Sequence, residues 1–203
     1  MYPPAPWRLH GQLWLSLFGV GRGGAPGRPP GVCAVALVRY EAPGVLTYDE
    51  LLVSRPVARP VRGVTVDQIW VDSAASMLGG RELWAIPKEL AAFDAGVRRS
   101  RLVDRAAWRV THQGAPVLQA RFEDASRFAP RLPFRGTVWQ PGLVGEPGLD
   151  GPRSARLSGS ARALPCRGRW HFAGDGPLGW LAGHRPWLSV RLTDFALEVG
   201  GAS

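Results

Sequence analysis

Glycine and proline constrain this chain more than any other feature. The 26 glycines and 19 prolines make up about a fifth of the 203 residues, and they interrupt the sequence too often for long helices. Short apolar runs lie between them, at residues 13–18, 32–40, 46–53, 66–72, 102–111, 116–122, 156–164, 168–172 and 188–199. Their lengths and their β-branched and aromatic content predict strands. The run 32–40 is almost continuously apolar and reads as a central strand buried on both faces. Between 99 and 109, Arg99, Arg101, Arg105 and Arg109 hold odd positions while Leu102, Ala106 and Trp108 hold even ones. That alternation predicts a strand with one cationic, solvated face and one mostly buried face. His112-Gln113-Gly114-Ala115 predicts a hairpin turn into the next strand. Ser73 sits where a helix N-cap is expected, ahead of one or two turns ending at Gly79-Gly80, and residues 178–182 read as a helical turn. Residues 57–64, broken by Pro60 and Gly63, read as loop or irregular edge. Residues 124–153, rich in proline and glycine, read as an edge crossing or a subunit contact. The sum is a mainly β, β-rich α+β chain in a single domain, 1–203: a β-barrel or curled sheet with two or three short helices.

Several functions are set aside on composition and motif. The net charge is +9, but the arginines are spread along the chain and no zinc spacing, RNA-binding aromatic motif or recognition helix accompanies them. Nucleic acid is therefore not expected as the main partner; a basic rim for small carboxylates or an acidic partner fits the same residues. Gly19-Val20-Gly21-Arg22-Gly23-Gly24 has dinucleotide-fingerprint spacing after a strand, yet Pro26, Pro29 and Pro30 forbid the helix that must follow. It reads instead as a flexible hairpin loop. The four histidines show no metal-ligand spacing, and Ser158-Gly159-Ser160 lacks the surroundings of a nucleophile elbow. Cys33 and Cys166 read as buried, reduced thiols. No apolar stretch approaches the ~20 residues of a membrane span, and no signal peptide is evident, so a cytoplasmic location is expected.

One residue stands apart. Lys88 is the only lysine, and it lies in Gly79-Gly80-Arg81-Glu82-Leu83-Trp84-Ala85-Ile86-Pro87-Lys88-Glu89-Leu90, among mostly apolar neighbours. Arginine keeps its proton under all working conditions, whereas a desolvated lysine can lose it and attack a carbonyl carbon. Burial by Trp84, Ile86 and Leu90 is the lever visible in the sequence, and it predicts a neutral amine. Upstream, Tyr48 and Glu50 share one face of a strand, while Asp49 points to the other.

The segment Gly-Arg-Glu-Leu-x-x-x-Pro-Lys, with Tyr48-Asp49-Glu50 before it and Ile69-Trp70-Val71-Asp72 between, resembles the acetoacetate decarboxylase family over roughly residues 31–93. The resemblance implies a cone-shaped antiparallel β-barrel with Lys88 projecting inside as a Schiff-base nucleophile. It also implies Glu50 as proton relay and a homo-oligomeric assembly. On that footing the chain is expected to be a lyase that uses no metal or other cofactor. It would act on a small oxo acid or ketone through an iminium at Lys88 and release carbon dioxide. Tyr48, Arg81, Trp84 and Ile86 are the candidate substrate-binding residues. A pyruvate aldolase-dehydratase using the same lysine and a non-catalytic binding member are the alternatives. Three family positions differ here: Glu89 follows the lysine where a second lysine is common, Gln12 stands near the arginine that holds the substrate carboxylate, and Val35 stands near a further glutamate. Arg81 or Arg121 are candidates to replace that arginine, although Arg81 also suits a local pairing that holds the turn.

Overall fold

The computed structural model describes residues 1–21, 29–60, 62–125 and 128–200. Each of the nine apolar runs becomes a strand, and three further strands lie outside them, twelve among the described residues. These are β1 (Trp7–Val20), β2 (Gly31–Glu41), β3 (Tyr48–Val57), β4 (Gly63–Val71), β5 (Lys88–Leu90), β6 (Ala92–Arg98), β7 (Asp104–His112), β8 (Ala115–Asp124), β9 (Arg131–Gln140), β10 (Arg153–Pro165), β11 (Arg167–Phe172) and β12 (Leu188–Val199). The helices among the described residues are one α-helix, α1 (Ala74–Trp84), and a 3-10 turn at Gly179–Leu181.

Seven strands in the order β3-β2-β1-β12-β10-β9-β4 close into a barrel through the β3–β4 pairing. The seams are antiparallel except between β4 and β9, which run parallel and meet at Val64 and Val138. β11-β8-β7-β6 form a second, antiparallel sheet. Side-chain alternation divides the apolar residues between two layers. Ala36, Val38 and Tyr40 of β2 join Tyr48, Ile69, Val138 and Phe195 in the cluster that fills the barrel. Val35 and Leu37 join Trp14, Phe18, Leu51, Trp108, Val110, Leu118 and Phe122 in the layer between barrel wall and small sheet. The strand 32–40 is thus covered on both sides, as its composition predicts.

That second layer also holds charge. Arg191 on β12 is 1% exposed. It donates to Asp104 Oδ2 at 3.3 Å and Asp124 Oδ1 at 2.9 Å, and also to Gln12 Oε1. Its guanidinium lies 5.0 Å from the Trp14 ring centroid, a cation–π contact.

Several local readings need correction. Residues 124–153 contain β9, a full barrel strand; Pro133 and Gly136 hide it from a pattern reading. Pairing with β10, Arg153 opposite Gln140 through Arg162 opposite Arg131, holds it in the wall. α1 does not stop at Gly79-Gly80 but runs through both glycines to Trp84, ending where Ala85 turns left-handed at φ 53°. Leu102 is 70% exposed, because β7 begins only at Asp104. Cys33 is buried but Cys166 only half-buried; neither is in a disulfide, and burial, then the Asp124 charge, pushes the Cys166 thiol up to about 12. From Arg105 to Arg109 the strand alternates as expected between exposed arginine or alanine and buried Ala106 and Trp108. Gln113 and Gly114, at φ 51° and 80°, make the two-residue turn into β8. β1 and β2 pair as an antiparallel hairpin; the predicted loop's tip, 22–28, lies outside the described residues.

Candidate active site

Residues 72–90 leave the end of β4, pass through α1 and return as β5, which lies parallel to β4 with Lys88 opposite Ile69. Ser73 opens the helix as predicted, its side chain accepting a hydrogen bond from Ser76 N–H at 3.2 Å. Packing explains why two glycines sit within the helix. A Cβ on Gly79 would fall 2.5 Å from Trp7, and one on Gly80 would fall 2.7 Å from Lys88 Cδ. The bare backbone of α1 is therefore the wall along which the lysine stem lies. Past the helix, Arg81 donates to the Lys88 carbonyl oxygen at 2.9 Å and pairs with Glu146. Arg81 thus fixes the backbone that carries the lysine, and its guanidinium is turned to that carbonyl and to the 143–149 loop.

The amine ends among polar groups from two elements, β3 and α1. Lys88 Nζ donates to Glu50 Oε2 on β3 at 2.8 Å, to Ser76 Oγ on α1 at 2.9 Å and to Tyr48 OH at 3.4 Å. It lies 5.1 Å from the Tyr48 ring centroid. Lys88 is 4% exposed and Glu50 3%, so water screens the pair little. The other Glu50 oxygen accepts from Tyr40 OH at 3.1 Å, and the Tyr40 and Tyr48 rings stack at 4.3 Å. Glu50 is therefore held from both sides: Tyr40 orients one oxygen and leaves the other for the amine. Asp49 points away from the barrel and takes both Arg39 nitrogens at 2.9 and 2.8 Å.

The amine is not neutral at rest, contrary to the sequence expectation. Burial is the largest influence and lowers its affinity for a proton. The Glu50 charge, Tyr48 and the hydrogen bonds to both together outweigh it, so Lys88 stands above the ordinary lysine value of 10.5. The same surroundings keep the phenols protonated. Burial first, then the Glu50 charge, pushes Tyr48 up to about 12 and Tyr40 well above its usual value. Lys88 thus holds its proton more tightly than an ordinary lysine, and a nucleophilic role for it requires that proton to cross the 2.8 Å hydrogen bond to Glu50.

The other sequence candidates are dispersed. Trp84 (6% exposed) packs edge-on against Trp7 at 4.8 Å, and Ile86 (8%) lies in the same interior cluster. Leu90, taken from sequence as part of the cover over the amine, is 47% exposed. Arg121 is on the outer face of the small sheet. Gln12 faces Arg191 and donates to Glu41 at 2.8 Å, outside the barrel. Sequence reasoning missed Tyr40 and Ser76. The signal for Tyr40 was present: folding residues 40–48 as a hairpin sets it opposite Tyr48. Nothing local marks Ser76 beyond its place two residues into a capped helix. Among the described residues no group of three histidine, cysteine or acidic side chains is arranged to hold a metal.

A closed barrel with a buried lysine–glutamate pair reached from the end of one wall strand defines a narrow class of protein. The family model for acetoacetate decarboxylase matches residues 25–141, and the chain belongs to that family. No curated protein matches the sequence. Among solved structures, the fold is similar to the acetoacetate decarboxylase of Legionella pneumophila subsp. pneumophila str. Philadelphia 1, with TM-score 0.66 at 15% identity over 98% of this chain and 85% of that one. It is also similar to an acetoacetate decarboxylase-like enzyme from Sphingomonas wittichii RW1, with TM-score 0.62 at 16% identity over 99% and 93%. A third similar structure is the enduracididine biosynthesis enzyme MppR complexed with the condensation product of pyruvate and imidazole 4-carboxaldehyde. Its TM-score is 0.61 at 17% identity over 98% and 88%. No helix among the described residues is long and apolar enough to cross a membrane.

Proposed function

We propose that this protein is a Schiff-base-forming lyase that decarboxylates a small oxo acid, with Lys88 as nucleophile and Glu50 as proton relay. The observation that carries the reading is the 2.8 Å contact between Lys88 Nζ and Glu50 Oε2 inside the barrel. Entry of a ketone displaces the balance in that pair: the ammonium proton passes to Glu50, and the neutral amine adds to the carbonyl carbon. Glu50 then returns the proton to the carbinolamine oxygen, which leaves as water and gives the iminium. The bond to the substrate carboxylate breaks, its electrons enter the iminium to form an enamine, and carbon dioxide departs. Protonation of the enamine carbon and hydrolysis restore the amine. Ser76 and Tyr48 accept hydrogen bonds from the nitrogen, and Tyr48 borders the substrate.

Among the described residues the hydrogen-bond partners of Lys88 Nζ are Glu50, Ser76 and Tyr48. A substrate carboxylate held beside Glu50 is repelled by it, and the repulsion is relieved as carbon dioxide forms. That favours decarboxylation. Condensation of pyruvate with an aldehyde at the same lysine is the second reading, and the condensation product carried by MppR favours it. Assembly into a homo-oligomer belongs to this reading, and sedimentation velocity checks it.

The test is borohydride reduction in the presence of acetoacetate or pyruvate, followed by intact and peptide mass measurement. The expected product is one reduced adduct, on Lys88, absent in Lys88→Met. Carbon dioxide released from acetoacetate identifies the first reaction, and a dehydrated product from pyruvate plus an aldehyde identifies the second. A protein that gives no adduct with either oxo acid is not a Schiff-base enzyme for this substrate class.

A further inference from the structure

The proposed chemistry leaves the arginines of the small sheet without a role, and their arrangement there is not random. The outward residues of β6, β7, β8 and β11 form three rows across the four strands. One outer row reads Asp94, Arg109, Gln119, His171, and the other Arg98, Arg105, Glu123, Arg167. Each outer row contains an internal ion pair, Arg109 with Asp94 at 3.2 Å and Arg105 with Glu123 at 3.0 Å. The middle row is different. It reads Gly96, Ala107, Arg121, Arg169, with no acid, and its two arginines face each other across the ladder.

Like charges directly opposite on adjacent strands are unfavourable. Backbones so paired lie about 5 Å apart, too close for the two guanidiniums to ignore each other. No carboxylate among the described residues is paired with Arg121 or Arg169, or with Arg98 or Arg167 beside them. The other half of the row has almost no side chain: Ala107 offers one methyl, and a Cβ placed on Gly96 would meet nothing within 4 Å. The result is a trough beside a doubled, uncompensated cation, within a cavity of about 710 Å³. That size falls in the range of small-molecule sites, about 300–1,000 Å³. The aromatic residues of this sheet, Phe93, Trp108, Phe122, Trp170 and Phe172, all pack on the covered side, so the outer face offers no ring for stacking nucleic-acid bases. A second copy of the same positive face would be repelled. Two planar guanidinium forks on facing positions of adjacent strands suit a tetrahedral or planar oxyanion.

We propose that the middle of this face binds a small, multiply charged oxyanion of the phosphate class. Its charged group is held between Arg121 and Arg169, and any organic body lies in the trough over Gly96 and Ala107. The site is on the opposite side of the small sheet from the barrel and does not depend on chemistry at Lys88.

The test is calorimetric titration of the full chain with inorganic pyrophosphate, at ionic strength held constant with sodium chloride. Saturable binding at one site per chain is expected. Arg121→Gln and Arg169→Gln should each weaken it by about tenfold or more, the effect of losing a charge-assisted hydrogen-bond donor. Arg98→Gln, in an outer row, should change it less than threefold. All three substitutions are on the solvent side, and an unchanged near-ultraviolet circular dichroism spectrum checks the core. A parallel titration with glucose 6-phosphate separates the sources: tighter binding, lost in Gly96→Leu while pyrophosphate binding persists, assigns a phosphorylated metabolite, and equal or weaker binding assigns the inorganic anion. The proposal is overturned by absence of saturable binding or by an equal loss in Arg98→Gln. Binding confined to a long polyanion such as polyuridylate, and abolished by modest salt, also overturns it.

Discussion

The protein buries two ion-pair clusters, and they differ in the cation. Inside the barrel, Lys88 meets one carboxylate and two hydroxyls. Between the barrel and the small sheet, Arg191 meets two carboxylates and an amide and lies against Trp14. An ammonium can give its proton to a neighbour and become a nucleophile; a guanidinium cannot, and its flat fork ties several strands together instead. Equal burial therefore serves opposite ends. One cluster is built so that a proton can move, the other so that nothing does.

The largest expected contrast comes from removing each cation. Arg191→Met removes the guanidinium from between Asp104 and Asp124 and should cost about 3–5 kcal/mol in denaturant unfolding. The protein that remains folded should still form an adduct at Lys88. Lys88→Met should abolish the adduct but cost less stability, about 1–3 kcal/mol, because Glu50 can take up a proton and keeps the Tyr40 hydrogen bond. Equal stability losses in the two variants would erase the distinction.

Alkaline pH sharpens it. The folded-state value of Lys88 lies above the ordinary 10.5. Its contribution to stability is thus complete below about 10.5 and is lost as pH rises through the higher folded value. Unfolding curves of the native protein and Lys88→Met should converge at the alkaline end. The gap between the native protein and Arg191→Met should not close in that way.

Smaller effects come from the supporting residues. Tyr40→Phe removes one hydrogen bond to Glu50 and should cost about 1 kcal/mol, with adduct formation slowed by about three- to tenfold. Gly80→Ala should change stability least, since a helix-propensity gain of about 1 kcal/mol offsets the contact with the lysine stem. Adduct formation should nevertheless fall, because the displaced stem carries the amine. A Gly80→Ala protein with native trapping rates would show that the bare helix backbone does not position Lys88.

The sequence disclosed the elements whose pattern is local. β12 occupies Leu188–Val199, the run read as a strand from its length and composition, and the Ser73 cap and the Gln113-Gly114 turn follow from short-range chemistry. The single lysine and the tyrosine–glutamate pair two residues apart were visible for the same reason. Non-local features were not. β9 is a strand because β10 supplies partners for it, despite Pro133 and Gly136. The helix continues through Gly79-Gly80 because Trp7 and Lys88 need the space a side chain would occupy. The Lys88 proton is held because Glu50 arrives from another strand, and burial, the one lever the local sequence displays, acts in the opposite direction. Arg191 finds Asp104 and Asp124 across 87 and 67 residues, separations that no window reveals.

The route from β4 through α1 to β5 has a further consequence. The amine is supplied by one detour that leaves the end of β4 and returns beside it as β5, whereas its carboxylate belongs to the neighbouring stave. The detour is thus a removable cartridge: exchanging residues 73–88 would change what is presented to Glu50 without re-registering any seam of the cylinder. Redesign of this protein's chemistry is best begun there.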